Sequence, residues 1–399
     1  MTLTGAIIVF LTSLSALPIS YTFNTISNIK DQRLILITGL ISFALVSGVP
    51  WMILRRKLQK VDSFFYVLSL LTFSSVMSLI IALENDGLIA EFMGFYLREG
   101  EPYLKTAHGT MISYWDGIAH YGLYLMMLAA VSWNQSFYDV GLYWVGSFAY
   151  SKLVLVLAVL MGEDGLRWPF LLNFPCIIIC AVVSLRFLNE KHEEGCRLKA
   201  ELKPEEKMTT PSITSIKKRP LDIILLAFNI FAICVTIFRF IAVMKGNIGI
   251  VNVYKEKIEP YLTDPLPYPK AQMMIHTLYF IPYYIMSSYA LLWPGQSWIL
   301  RWSLIQAGAA GQGQFTYMGS SFHYRTPYIH RVPQTALAKS IFWLVNGILF
   351  IVPQIAALRC LNNPDFFLQQ EKPTSVEQSG SLVSNGKPPS ITGSVKKMD

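Results

Sequence analysis

The stretch LILITGLISFALVSGV at residues 34–49 is apolar around the whole circumference of a helix and shows no polar alternation of the kind a half-exposed strand needs. An outer-membrane type of barrel would carry strands of about ten residues with alternating polarity, so this segment selects a membrane helix. Equivalent apolar windows recur near residues 3–22, 34–54, 63–83, 111–131, 141–161, 168–188, 220–243, 271–293, 299–318 and 336–358. At about 1.5 Å per residue each window is long enough for a hydrocarbon core of roughly 30 Å. The composition agrees: 53% of the 399 residues are hydrophobic and 15% charged, against about 25% charged in a soluble domain. A soluble globular enzyme is excluded, and the sequence predicts an all-α polytopic membrane protein of about ten transmembrane helices. The first window has no Lys or Arg before Lys30 and no convincing cleavage site, so it reads as a retained helix rather than a signal peptide.

Orientation follows from the basic residues. With the N-terminus in the cytosol, the cytosolic loops and tail hold 18 of the 33 Lys and Arg and the opposite loops hold 11. Both termini are therefore expected in the cytosol. The net charge of +8 is the ordinary mark of membrane insertion and anionic-lipid contact, and no basic face with interleaved aromatics points to nucleic acid. Five cysteines without CxxC spacing read as reduced packing residues, with Cys360 at a helix end where palmitoylation is conceivable. Residues 361–399, rich in Ser, Pro, Gln and Lys, are expected to be a disordered cytosolic tail. Its last four residues, Lys396-Lys397-Met398-Asp399, have the dilysine arrangement by which coat machinery retrieves membrane proteins to the endoplasmic reticulum. The sequon Asn134-Gln135-Ser136 falls on the cytosolic side and should be unmodified.

The chain repeats itself. Glu101-Pro102-Tyr103-Leu104 recurs as Glu259-Pro260-Tyr261-Leu262, and Phe73 with Phe231 and Trp144 with Trp302 share the same offset of 158. Four crossings per unit return the chain to its starting face, so the repeats are parallel. The organisation expected is an N-terminal helix pair (1–56), a first four-helix unit (61–188), a cytosolic linker (189–219) containing Pro204 and Pro211, a second four-helix unit (220–360) and the tail (361–399).

The repeat carries a family likeness. GEPYLKTAHGTMISYWDGIAHYGLYL at 100–125, EPYLTDPLPYPKAQMM at 259–274 and AGAAGQGQFTYMGSSFHYRTPYIHRVP at 307–333 resemble the transmembrane 6 superfamily, over about residues 5–368. The resemblance implies two tandem EXPERA-like bundles, the fold of emopamil-binding protein, a sterol isomerase, and of the sigma-2 receptor. It also implies a protein of the endoplasmic reticulum or of neighbouring secretory and endolysosomal membranes that affects lipid homeostasis, including lipid droplets and lipoprotein lipid loading. This sequence departs from the vertebrate pattern at Ser78, where an Asp is common, at Ser113, where a Cys is common, and at residues 244–250, MKGNIGI, which replace a Cys-containing loop and exclude a disulfide there.

Ionisable and amide side chains at membrane depth cost at least about 2.5–3.5 kcal/mol when charged and so mark candidate sites. Asp116 and His120 lie four apart in the fourth window beside Tyr114, Trp115 and Tyr124; Gln272 and His276, also four apart, occupy the eighth at an offset of 156. Two pseudo-symmetric polar pockets are expected. By resemblance Asp116 matches an acidic catalytic residue of the isomerase, and Asn346 with Pro353 matches its last helix. Double-bond isomerisation needs a proton donor and a separate acceptor, and Ser78 and Ala82 stand where the isomerase's His and Glu would align. The candidate ligand-binding set is Tyr114, Trp115, Asp116, His120, Gln272, His276, Gln312 and Asn346, with no catalytic residue and no cofactor assigned. A purely structural role remains open for each: Asp116 paired with Lys152 or a Tyr hydroxyl, the histidines as packing donors, Gln312 and Gln314 bonding across close-packed Gly308–Gly313, and Arg239, Tyr103 and Tyr261 as interface anchors. The expected function is binding of sterol or a related lipid without turnover; the rivals are a sterol isomerase and a lipid transporter or assembly scaffold. Oligomeric state is open.

Overall fold

The computed structural model describes residues 3–25, 31–55, 64–163, 165–189, 216–246, 248–293 and 295–367. The linker prolines, most of the tail, the dilysine and Cys196 lie outside the described residues. The described chain is helical: α1 (Leu3–Leu14), α2 (Ala16–Thr25), α3 (Gln32–Arg55), α4 (Phe64–Asn85), α5 (Ala107–Trp115), α6 (Tyr121–Ser132), α7 (Tyr138–Met161), α8 (Asn173–Asn189), α9 (Pro220–Val243), α10 (Gly249–Lys257), α11 (Pro267–Ile275), α12 (Ile281–Leu292), α13 (Ile299–Phe322) and α14 (Ala336–Asn362).

Among the described residues seven helices are long and apolar enough to cross a membrane, starting at Ala6, Gln32, Phe64, Tyr138, Trp168, Pro220 and Ala336. The other three expected windows are also helical, and their departure has physical causes. Two are rods in which a π turn, Asp116–His120 or His276–Phe280, joins two short α-helices. The third, α13, is long enough but carries Arg301 and three glutamines and is buried on nearly every side. Leu34, Ile37, Ile41 and Leu45 of α3 are exposed, as a helix facing lipid should be.

Local signals set the helix starts. Thr106 Oγ1 accepts from Gly109 N at 3.0 Å and caps α5, while Pro220 and Pro267 open α9 and α11, where the missing N–H has no partner to lose. The two EPYL segments have the same shape. Glu101 (φ −129°, ψ 71°) and Glu259 (φ −128°, ψ 68°) each precede a short 3₁₀ turn. Beyond them α5, the π turn and α6 recur as α11, the second π turn and α12, displaced by 160 residues.

The two halves interlock through α7 and α13. A Cβ on Gly146 would strike the Ile305 backbone, and one on Gly308 would strike the Tyr143 carbonyl. Glycine therefore lets the helix axes approach, as small residues do inside membranes. α13 also packs on α5 and α14, and α1 and α3 pack on α4, so the N-terminal pair sits against the first half.

Three expectations are corrected. Tyr103 and Tyr261 are buried, not interface anchors. Arg239 does not snorkel: it is 1% exposed and held by Glu259. Cys360 is buried against the core, which leaves its thiol inaccessible to an acyl chain.

Candidate functional site

The π turn after α5 places Asp116 and His120 against α7. Asp116 Oδ2 lies 3.2 Å from Lys152 Nζ, and Asp116 Oδ1 lies 2.9 Å from His120 Nδ1. Trp115 Nε1 donates to Ser147 Oγ at 2.8 Å, and the same oxygen is 2.8 Å from His120 Nε2. Ser147 Oγ, with one hydrogen and two lone pairs, accepts from the indole and can either donate to or accept from Nε2, so it links Trp115 to His120 in both tautomers of the imidazole.

The network continues away from Asp116. Lys152 Nζ donates to Asn173 Oδ1 at 3.5 Å, and Asn173 Nδ2 donates to Glu101 Oε1 at 2.8 Å. Tyr96 OH donates to Glu101 Oε2 at 2.6 Å, and Tyr103 OH donates to Oε1. Burial pushes the Glu101 carboxyl above the usual carboxylate range, although those three donors and the Lys152 charge oppose the shift. Glu101 was not among the residues expected in a site; its recurrence in EPYL was the available signal.

This polar chain borders a cavity of about 160 Å³. Its walls are mostly apolar, with Ile19 and Phe23 of α2, Ile35 and Phe43 of α3, and Phe73, Met77 and Ile81 of α4, and with Asn24, Thr38, Ser42 and Ser74 interspersed. Its polar end is Glu101, Asp116, Lys152 and Asn173, with Ser78 and Ser113 beside them. A smaller space of about 30 Å³ adjoins it and reaches His120 and Tyr124. A mostly apolar cleft with a few convergent polar groups is the usual form of a small-molecule site.

The expected residues divide. Asp116 lines both spaces and His120 the smaller one, while Trp115 supports them through Ser147. Tyr114 points elsewhere and donates to Asp86 Oδ2 at 2.8 Å. Gln272, His276, Gln312 and Asn346 border neither space. Gln272 Nε2 donates to the Gly313 carbonyl at 2.7 Å, and His276 Nε2 lies 2.6 Å from Tyr150 OH while its ring stacks on Phe280. Gln312 is buried with neither amide atom bonded to protein.

Asn346 belongs to a separate cluster around the second EPYL glutamate. Arg239 Nε and Nη2 reach Glu259 Oε2 and Oε1 at 2.9 and 2.5 Å. Arg239 Nη2 also donates to Asn346 Oδ1 at 2.9 Å, Asn346 Nδ2 to Glu259 Oε1 at 3.1 Å, and Tyr317 OH to Glu259 Oε2 at 3.0 Å. The pairing expected from the sequence is therefore revised. The π turns equate Asp116 with His276, not with Gln272, and the matched carboxylates are Glu101 and Glu259. Among the described residues no group of three or more His, Cys, Asp and Glu is disposed to hold a metal ion.

Helical rods, lipid-facing apolar surfaces and a charged chain bordering an internal cavity define a polytopic membrane protein. A family model described as "Transmembrane 6 superfamily member 2-like, transmembrane domain" matches residues 15–196. Transmembrane 6 superfamily member 2 of mouse (Mus musculus) is 37% identical over 365 residues, 91% of this chain and 94% of that protein. The rat (Rattus norvegicus) protein of that name is 36% identical over 370 residues, 92% and 96% of the two chains, and the human (Homo sapiens) one 37% over 364, 90% and 93%. The chain belongs to the transmembrane 6 superfamily. No solved structure matches it.

Proposed function

We propose that this protein binds sterol or a related lipid in the first-half cavity and regulates lipid handling in endoplasmic reticulum membranes without turning the lipid over. The observation that carries this reading is the apolar cleft between α2, α3 and α4 ending on Glu101, Asp116, Lys152 and Asn173. In this reading residues 61–188 and 220–360 are two EXPERA-like bundles following an N-terminal helix pair, both termini are cytosolic, and Lys396 and Lys397 engage coat machinery to hold the compartment. Labelling by a photoactivatable sterol, followed by Asp116→Ala, tests it: labelling should occur and should fall with the substitution. Absence of labelling, or labelling indifferent to Asp116, overturns it.

A sterol isomerase is the second reading, favoured by one observation: two carboxyls and an ammonium border the same cavity, and proton relocation needs a donor and an acceptor within reach of one substrate. Purified protein given a Δ8-sterol separates the two readings. The binding reading expects no double-bond shift, and the enzyme reading expects conversion that depends on Asp116.

A further inference from the structure

Glu101 and Glu259 are the same residue of the repeat, on the same backbone geometry, yet they sit in opposite electrostatic circumstances. Each receives a side-chain amide from the closing helix of its own half, Asn173 at 2.8 Å and Asn346 at 3.1 Å. Glu259 is then closed by a two-point contact from Arg239, with Tyr317 on its remaining lone pairs and 0% exposure. At the offset of 158 that relates the two glutamates, the residue matching Arg239 is Ile81, which lines the cavity. An apolar residue there leaves Glu101 without a guanidinium and leaves the space a guanidinium would fill. The outer wall of that space is α2 and α3, and in the second half the described residues that lead directly into α9, 216–219, form only a short 3₁₀ turn.

We infer that the protein has one lipid site, in the first half only, that it takes a neutral lipid bearing a hydroxyl, and that the Arg239–Glu259 cluster is the closed form of the same site, serving structure. The ligand class follows from the charges. Lys152 is the only cation among the residues lining the cavity and lies 3.2 Å from Asp116, with Glu101 as a further acidic group. A phosphate would have to pull Lys152 from its partner and sit beside two carboxyls in a low-dielectric space. A hydroxyl can donate to Glu101 or Asp116 and accept from Lys152 without adding charge.

This inference rests on the lipid-binding reading, and the test separates the two. The full chain, in detergent, is loaded with cholesterol or with dioleoyl phosphatidic acid and weighed by native mass spectrometry. One cholesterol per chain is expected, with phosphatidic acid retained about tenfold less. Ile81→Arg, which rebuilds the second-half arrangement in the first, should abolish the adduct, as should the cavity-filling Ser78→Phe. The double change Arg239→Met with Glu259→Met should leave it intact. Two cholesterols per chain, equal retention of phosphatidic acid, retention by both first-half variants, or loss only in the second-half double variant overturns the inference while lipid binding stands. No adduct with either lipid overturns the lipid-binding reading and the inference with it.

Discussion

Removing Arg239 tests the buried ion pair most directly. Arg239 and Glu259 are 1% and 0% exposed, so their attraction needs no discount for solvent screening. At 2.9 Å and an effective dielectric of about 20 the Coulomb attraction is about 6 kcal/mol, offset by several kcal/mol of desolvation for each ion. Arg239→Met leaves Glu259 buried with neutral donors such as Tyr317 and Asn346 in place of a cation, and should destabilise by about 3–5 kcal/mol. Changing both residues to Met removes both desolvation penalties, and the double variant should recover most of that loss. Reversible unfolding by SDS in mixed micelles, followed by tryptophan fluorescence, gives the four corners of the cycle. A single variant within about 1 kcal/mol of the parent, or a double variant no more stable than Arg239→Met, would refute the reasoning.

The helix crossing gives a second prediction: Gly146→Val or Gly308→Val should destabilise by about 3 kcal/mol or more, because each side chain meets backbone, whereas Gly48→Ala, with open space around it, should be neutral or slightly stabilising in the same unfolding assay. Beyond the end of α13, His323 Nε2 lies 2.9 Å from Asp86 Oδ1, and burial outweighs that carboxylate and holds the imidazole below its usual value. The native state thus prefers the neutral ring; its contribution is complete above the unfolded value of about 6.5 and is lost as pH falls from there through the folded value. Hydrogen-exchange protection across residues 323–331, taken relative to the intrinsic rate at each pH, should fall as pH drops below about 6.5, and His323→Gln should flatten that change. Lys396→Ser with Lys397→Ser should move the protein out of the endoplasmic reticulum by fluorescence microscopy, and Asn134 should remain unglycosylated by gel mobility; a glycan there would reverse the orientation proposed.

Much of the architecture was legible because hydrophobic period and repeat spacing are local properties. The apolar windows coincide with helices, and four identical residues in register marked two segments that share one backbone shape. Asp116 was legible for the same reason, since an acidic residue inside an apolar window has few explanations. The role of Arg239 was not. Position along a helix suggested an anchor near the membrane edge, but Glu259 and Asn346 come from 20 and 107 residues away, and only their convergence makes burial of a guanidinium affordable. Gln272 matches Asp116 only if the loop after the second EPYL is two residues shorter than the first; it is two residues longer, because α11 opens seven residues after Pro260 where α5 opens five after Pro102.

The sequence by itself determined that this chain is a helical membrane protein with an internal repeat, because lipid demands long apolar segments whose backbone bonds close within each helix. The tertiary structure alone decided which charges face a cavity and which are sealed. That choice depends on what lies across each glutamate, a guanidinium in one half and open apolar space in the other. Such neighbours come from distant helices, and no local pattern along the chain encodes their meeting.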